Sequence, residues 1–152
     1  MNKILLAVVI FAISFSANTE PFLLYSESSA NGQSLDSFAA SIAKRAVKES
    51  LAKSVSGEIC GEFERVGDAF RIEFYTIGEI QGCSFKKSAS GDYTGQTFHT
   101  HIYIGLAGSD YSSKMNNPRF SEEDYSFYGY MTTGRVTLHQ NGKGTERRVF
   151  TQ

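Results

Sequence analysis

Residues 97–105 read TFHTHIYIG, and the fold turns on how this run is taken. β-Branched and aromatic residues dominate it, so the run predicts a strand. Residues two apart along a strand point to the same face. His99 and His101 therefore project together, while Phe98, Thr100 and Ile102 face the other way. The chain holds only three histidines. Two imidazoles side by side can grip one divalent cation through their ring nitrogens. The same spacing also suits exposed strand histidines, or core histidines with satisfied hydrogen bonds.

Upstream of this run, GEICGEFERV (57–66) and AFRIEFYTIG (69–78) flank Gly67-Asp68. Both arms alternate, with Phe70, Ile72 and Phe74 interleaved by Arg71, Glu73 and Tyr75, which predicts a hairpin. Earlier still, Leu35, Phe38, Ala39, Ile42, Ala43, Ala46, Val47 and Leu51 form one apolar stripe at helical spacing. This predicts a long helix over 35–54, with Ser34 as N-cap and Gly57 beyond its end. Residues 18–34 show no period and read as a flexible lead-in. KKSASGDYTGQ (86–96) reads as a polar loop, and 105–119, rich in Gly, Ser and Asn, as a long one. SEEDYSFYGY (121–130) starts like a short second helix. The stretch 129–150 predicts closing strands around the turn signal NGKG. This order of elements predicts an α+β fold on a mixed or antiparallel sheet.

Met1 to Lys3 form a short positive segment, and Ile4 to Phe15 an apolar run of twelve residues followed by small ones. That is the pattern of a signal peptide over 1–17. A membrane anchor is the other reading, but a span needs about 20 apolar residues. Cleavage leaves about 135 residues, one ordinary domain with a core of its own. A periplasmic or secreted location follows. The charge is nearly balanced, with 15 Lys and Arg against 16 Asp and Glu. Nothing in that balance points to a polyanion, and the short cluster Lys143, Arg147, Arg148 reads as solvated rather than as a nucleic-acid site. Export permits a Cys60–Cys83 disulfide; two small buried thiols suit the sequence equally.

A catalytic zinc takes a third protein ligand and keeps a position open. Asp124 is the candidate, three residues after Ser121 on one side of a starting helix. Ser-x-x-Asp is also an ordinary capping pattern, and the two roles are compatible. Hydrolysis further needs a base. Glu58 is the candidate, near a strand start, with Gly57 before it and Cys60 two residues on; Glu62 and Glu64 share its parity and are the alternatives.

Together these residues resemble the JAMM (JAB/MPN) metalloprotease family. Its pattern is a Glu in an early strand, then His-x-His, then Ser-x-x-Asp. The matches here are Glu58 in EICGEF, His99 and His101 in HTH, and Ser121 and Asp124 in SEED. The order of elements over residues 35–152 fits as well, most closely the bacterial JAB-like domains of secreted proteins. The resemblance implies a cytidine-deaminase-like mixed sheet flanked by a long N-terminal helix and a short second helix. It implies Zn²⁺ held by His99, His101 and Asp124, with Glu58 as general base for a metal-bound water. Ser121 would donate a hydrogen bond to the oxyanion.

The implied activity is that of an exported zinc-dependent peptidase or isopeptidase acting on a peptide or protein substrate. Ubiquitin, a frequent substrate of the family, does not suit an exported protein. A catalytically inactive JAB-like binding or interaction module is the alternative. One departure stands out: Ile102 to Phe120 puts nineteen residues between His101 and Ser121. The family usually has about seven, and the excess is a polar loop of the kind folds tolerate.

Overall fold

The structure, a computed structural model, describes residues 20–52, 55, 57–80, 82–102 and 118–151. The expected signal peptide and most of the loop over 105–119 lie outside the described residues. The chain forms β1 (Phe22–Ser28), α1 (Leu35–Ser50), β2 (Cys60–Val66), β3 (Ala69–Thr76), β4 (Tyr93–Thr100), β5 (Tyr128–Thr132), β6 (Thr137–Gln140) and β7 (Arg147–Val149). The strands make one sheet in the order β1-β3-β2-β4-β5-β6-β7. Every neighbouring pair is antiparallel except β4 and β5, which are parallel. The architecture is thus α+β with a mixed sheet.

Alternation sorts the sheet into two faces. Phe98 lies opposite Gly61 on β2 and Tyr130 on β5. That face carries the core: Phe63 packs edge-on against Phe38, Phe98 and Tyr130, with ring centroids 5.7, 6.1 and 5.6 Å away. Helix α1 covers it with Phe38, Ala39, Ile42, Ala43 and Ala46, all buried as the stripe predicts. The Ser34 hydroxyl accepts from the Ser37 N–H at 3.3 Å and caps the helix as expected. The opposite face carries Cys60, His99 and Met131 in one row, with His99 opposite both neighbours.

The parallel pair decides what lies over that second face. Tyr128 starts β5 level with Gln96, near the beginning of β4. A chain leaving the end of β4 must therefore travel back along the sheet before it can enter β5. Helix α1 occupies one face, and the returning segment, residues 118–127, passes over the other, beside the histidines. Gly129 lets β5 close against β4, because a Cβ there would lie 2.1 Å from the Thr97 carbonyl oxygen.

Four expectations need correction. The long helix ends at Ser50, not 54, because the Ser50 hydroxyl is drawn 2.7 Å from Thr100 Oγ1 in the core and Leu51 is left exposed. The second helix is a single 3-10 turn, Glu123–Ser126, and no second α-helix is found among the described residues. The lead-in contributes β1, an outer strand in which a bulge between Leu23 and Tyr25 breaks the alternation that would reveal it. Strand β4 begins at Tyr93, within the stretch read as loop, and ends at Thr100. His101 follows it in extended register, its N–H donating to the Thr132 carbonyl at 2.8 Å.

The Phe63 side chain is fully buried at the centre of this aromatic cluster. Phe63→Ala should cost about 3–5 kcal/mol of stability, read from the denaturant midpoint. A loss below about 1 kcal/mol would place the core elsewhere.

Candidate metal centre

His99 and His101 share the open face, as their spacing predicts. Their Nε2 atoms lie 3.2 Å apart. The returning segment brings Asp124 onto them: Oδ1 lies 3.2 Å from His99 Nε2, and Oδ2 lies 3.3 Å from His101 Nε2. Among the described residues this is the group of three or more His, Cys, Asp or Glu side chains that could hold a metal ion.

The spacing can be tested against a tetrahedral ion. Ligand atoms about 2.0–2.1 Å from a zinc ion are separated along the tetrahedron edge by about 3.3 Å. The Nε2–Nε2 separation and each of the two Nε2–oxygen contacts match that length, the two oxygen contacts falling on different oxygens of the one carboxylate. Protons alone satisfy only two of them. Each imidazole can give one Nε2–H to a carboxylate oxygen, but the two N–H groups then face each other across the third edge. A single cation held by both Nε2 atoms and the carboxylate would satisfy all three groups.

Burial pushes the His99 imidazole below its ordinary range, against the pull of the Asp124 carboxylate. A neutral ring with a free lone pair is the form that binds a metal. Burial would raise the Asp124 carboxyl, but hydrogen bonds from His101 and His99, with one from the Ser121 backbone, hold it well below the usual carboxylate range. It therefore stands as an anion, completing a two-nitrogen, one-oxygen donor set of the kind zinc accepts.

Asp124 turns out to be both cap and candidate ligand. The Ser121 N–H donates to its Oδ2 at 2.6 Å, and the Asp124 N–H donates to the Ser121 hydroxyl at 3.3 Å. This reciprocal pair fixes the carboxylate while it faces the histidines. Gln140, which the sequence did not single out, locks the same turn. It is buried on β6, and its amide donates to the carbonyls of Asp124, at 3.0 Å, and Phe127. A lone Gln before an Asn-Gly turn carries no sequence signal for that role.

Glu58 precedes β2 and lines the same cleft as the cluster and Ser121, a space of about 760 Å³. Its backbone is held on both sides: its N–H donates to the Glu79 carbonyl at 2.8 Å, and its carbonyl accepts from the Thr76 hydroxyl at 2.7 Å. Gly57 permits this, since a Cβ there would lie 2.8 Å from the Glu79 oxygen. Burial pushes the Glu58 carboxyl up to about 7; His101 opposes the rise, Asp124 adds to it, and a hydrogen bond from the Gly82 backbone again lowers it.

The other two glutamates are placed differently. Glu62 is buried but engaged, accepting from Lys87 Nζ at 2.7 Å and from the Gly95 N–H at 3.0 Å. Glu64 lies further along β2, outside the cleft lining. The two cysteines form a disulfide with Cα atoms 6.0 Å apart. It ties the strand opposite His99 to the segment that carries Gly82, and it forms part of the cleft wall.

The third histidine is structural. His139 lies against Tyr130, with ring centroids 4.5 Å apart, and its Nε2 meets Gln96 Oε1 at 2.9 Å. The short basic cluster is divided: Arg147 bridges to Asp36 at 2.6 and 3.0 Å, and Lys143 to Glu122 at 2.7 Å. No protein-family model, curated protein or solved structure matches the chain.

The donor set predicts one divalent metal ion per chain, measured by elemental analysis after dialysis against buffered zinc. His101→Ala should abolish stoichiometric binding while the fold, read by circular dichroism, survives. A wild-type protein that takes up no zinc would contradict the assignment.

Proposed function

We propose that this protein is a zinc-dependent peptidase or isopeptidase of the JAMM type, exported by the leader that its first residues resemble. One observation carries the reading. Two imidazole nitrogens and one carboxylate meet at tetrahedral-edge spacing in a cleft that also holds a half-buried glutamate. A structural zinc site is closed by four protein ligands, whereas a catalytic one has three and an open position. Three ligands facing a cleft support the catalytic kind. Zn²⁺ held there would supply Lewis-acid activation of water and of the substrate carbonyl.

The protein's own groups have distinct tasks. His99, His101 and Asp124 hold the ion. Glu58 is not among these ligands and serves as the proton carrier, taking a proton from the attacking water and passing it to the leaving amine. An acid range raised towards neutrality suits a group that must both accept and return a proton near pH 7. The Ser121 hydroxyl accepts from the Asp124 N–H, so its own hydrogen can donate to the oxyanion that forms on the substrate carbonyl. Gly82 and the Cys60–Cys83 disulfide orient Glu58, and Gln140 orients Asp124.

Among the described residues no helix is long and apolar enough to cross a membrane. The JAB-like family assignment and the periplasmic or secreted location are part of this same reading.

Glu58→Gln separates proton transfer from metal binding. It should leave zinc affinity within about twofold of wild type and lower peptide turnover by about 10²–10⁴-fold. Retained turnover would remove Glu58 from the chemistry. Lost zinc would make it a ligand or a structural support.

A further inference from the structure

We infer that the cleft selects peptides carrying a bulky apolar side chain beside the scissile amide. The inference rests on the peptidase reading above and adds the substrate class. The sheet order sets it up. Strands β2 and β3 lie on one side of β4, and β5 lies on the other. The segment after β3 therefore builds one wall of the cleft beside the histidines, and the segment before β5 builds the facing wall. The first wall presents Ile80, Phe85 and the Cys83 end of the disulfide; the second presents Phe120 and Phe127.

Two of these side chains are conspicuously open to solvent. Ile80 is 47% exposed and Phe127 is 60% exposed. Single exposed apolar residues are ordinary on a protein surface. Here one stands on each wall of the cleft that holds the candidate metal cluster, so both walls offer apolar side chains to whatever lies between them. Phe120 continues the second wall inward; it is buried, with its ring centroid 6.4 Å from that of His99. Apolar surface thus runs from the rim to the ligands.

Among the described residues, the charged side chains lining the cleft besides Glu58 and the ligand Asp124 are Arg119 and Glu123, one of each sign. A pocket with balanced rim charge and apolar walls discriminates by how much apolar surface a side chain buries. At about 760 Å³ the cleft holds more than one side chain. An extended peptide fits between the walls, with its amide at the cluster and its neighbouring side chain against Ile80 or Phe127.

The test uses N-acetylated amino-acid hydroxamates, which anchor on zinc whatever their side chain, titrated calorimetrically into zinc-loaded full-length mature protein. The phenylalanine compound should bind on the order of tenfold more tightly than the glycine compound, and the glutamate compound no more tightly than glycine. The exposed positions allow variants that leave the core intact. Ile80→Ser combined with Phe127→Ser should remove most of the phenylalanine preference and leave zinc and glycine-hydroxamate affinity unchanged. Equal affinity for the three compounds, a glutamate preference, or a phenylalanine preference that survives the double substitution would each overturn apolar selection while leaving the metal centre standing. Failure of the wild type to hold zinc would overturn the peptidase reading and this inference with it.

Discussion

Two imidazole nitrogens and one carboxylate are held as a triangle of donor groups, with contacts of 3.2, 3.2 and 3.3 Å that use both carboxylate oxygens, and protons can satisfy only two of those contacts. The rest of the molecule is arranged to keep that triangle in place. The histidines stand at the end of the central strand β4, with three strands on each side. Phe98 and Thr100, which alternate with them, are completely buried beneath α1. A shift of the strand by one residue would exchange the two sets and put imidazoles in the core. The aromatic core thus fixes the register that aims the histidines outward.

The third corner comes from a different constraint. A parallel β4–β5 pair cannot be closed by a hairpin, and its return connection must cross a face of the sheet. Helix α1 covers one face, and residues 118–127 lie over the other and bring Asp124 to the histidines. Reciprocal hydrogen bonds with Ser121 and the buried amide of Gln140 hold the turn once it arrives. On the far side, the disulfide and the Glu79 carbonyl hold the segment that orients Glu58. One cleft is therefore assembled from three parts of the chain, each anchored independently of the others.

Much of this was legible where a local period exists. The stripe from Phe38 to Val47 gave α1, the alternation around Gly67-Asp68 gave the β2–β3 hairpin, and the i, i+2 histidines gave one face. Where local signals were absent, the reading went astray. Strand β1 is an outer strand with a bulge, so its side chains do not alternate in burial. Tyr93 to Gln96 lie at the rim of the sheet, none of them fully buried, and their polar composition reads as loop. The parallel pairing of β4 with β5 has no sequence signature. Ser121 and Asp124 suit two readings, cap and ligand; the cap is formed, and a carboxylate has enough lone pairs to accept from a backbone N–H and still face two imidazoles. Gln140 acts through a carbonyl sixteen residues away in sequence, a relation only the folded chain brings about.

X-ray absorption at the zinc edge reads the identity of the ligands directly. The zinc-loaded wild-type protein should show a shell of nitrogen and oxygen alone at about 2.0–2.1 Å, with outer scattering from two imidazoles. A sulfur shell at about 2.3 Å, or a spectrum with fewer than two imidazoles, would rule out His99, His101 and Asp124 as the ligand set.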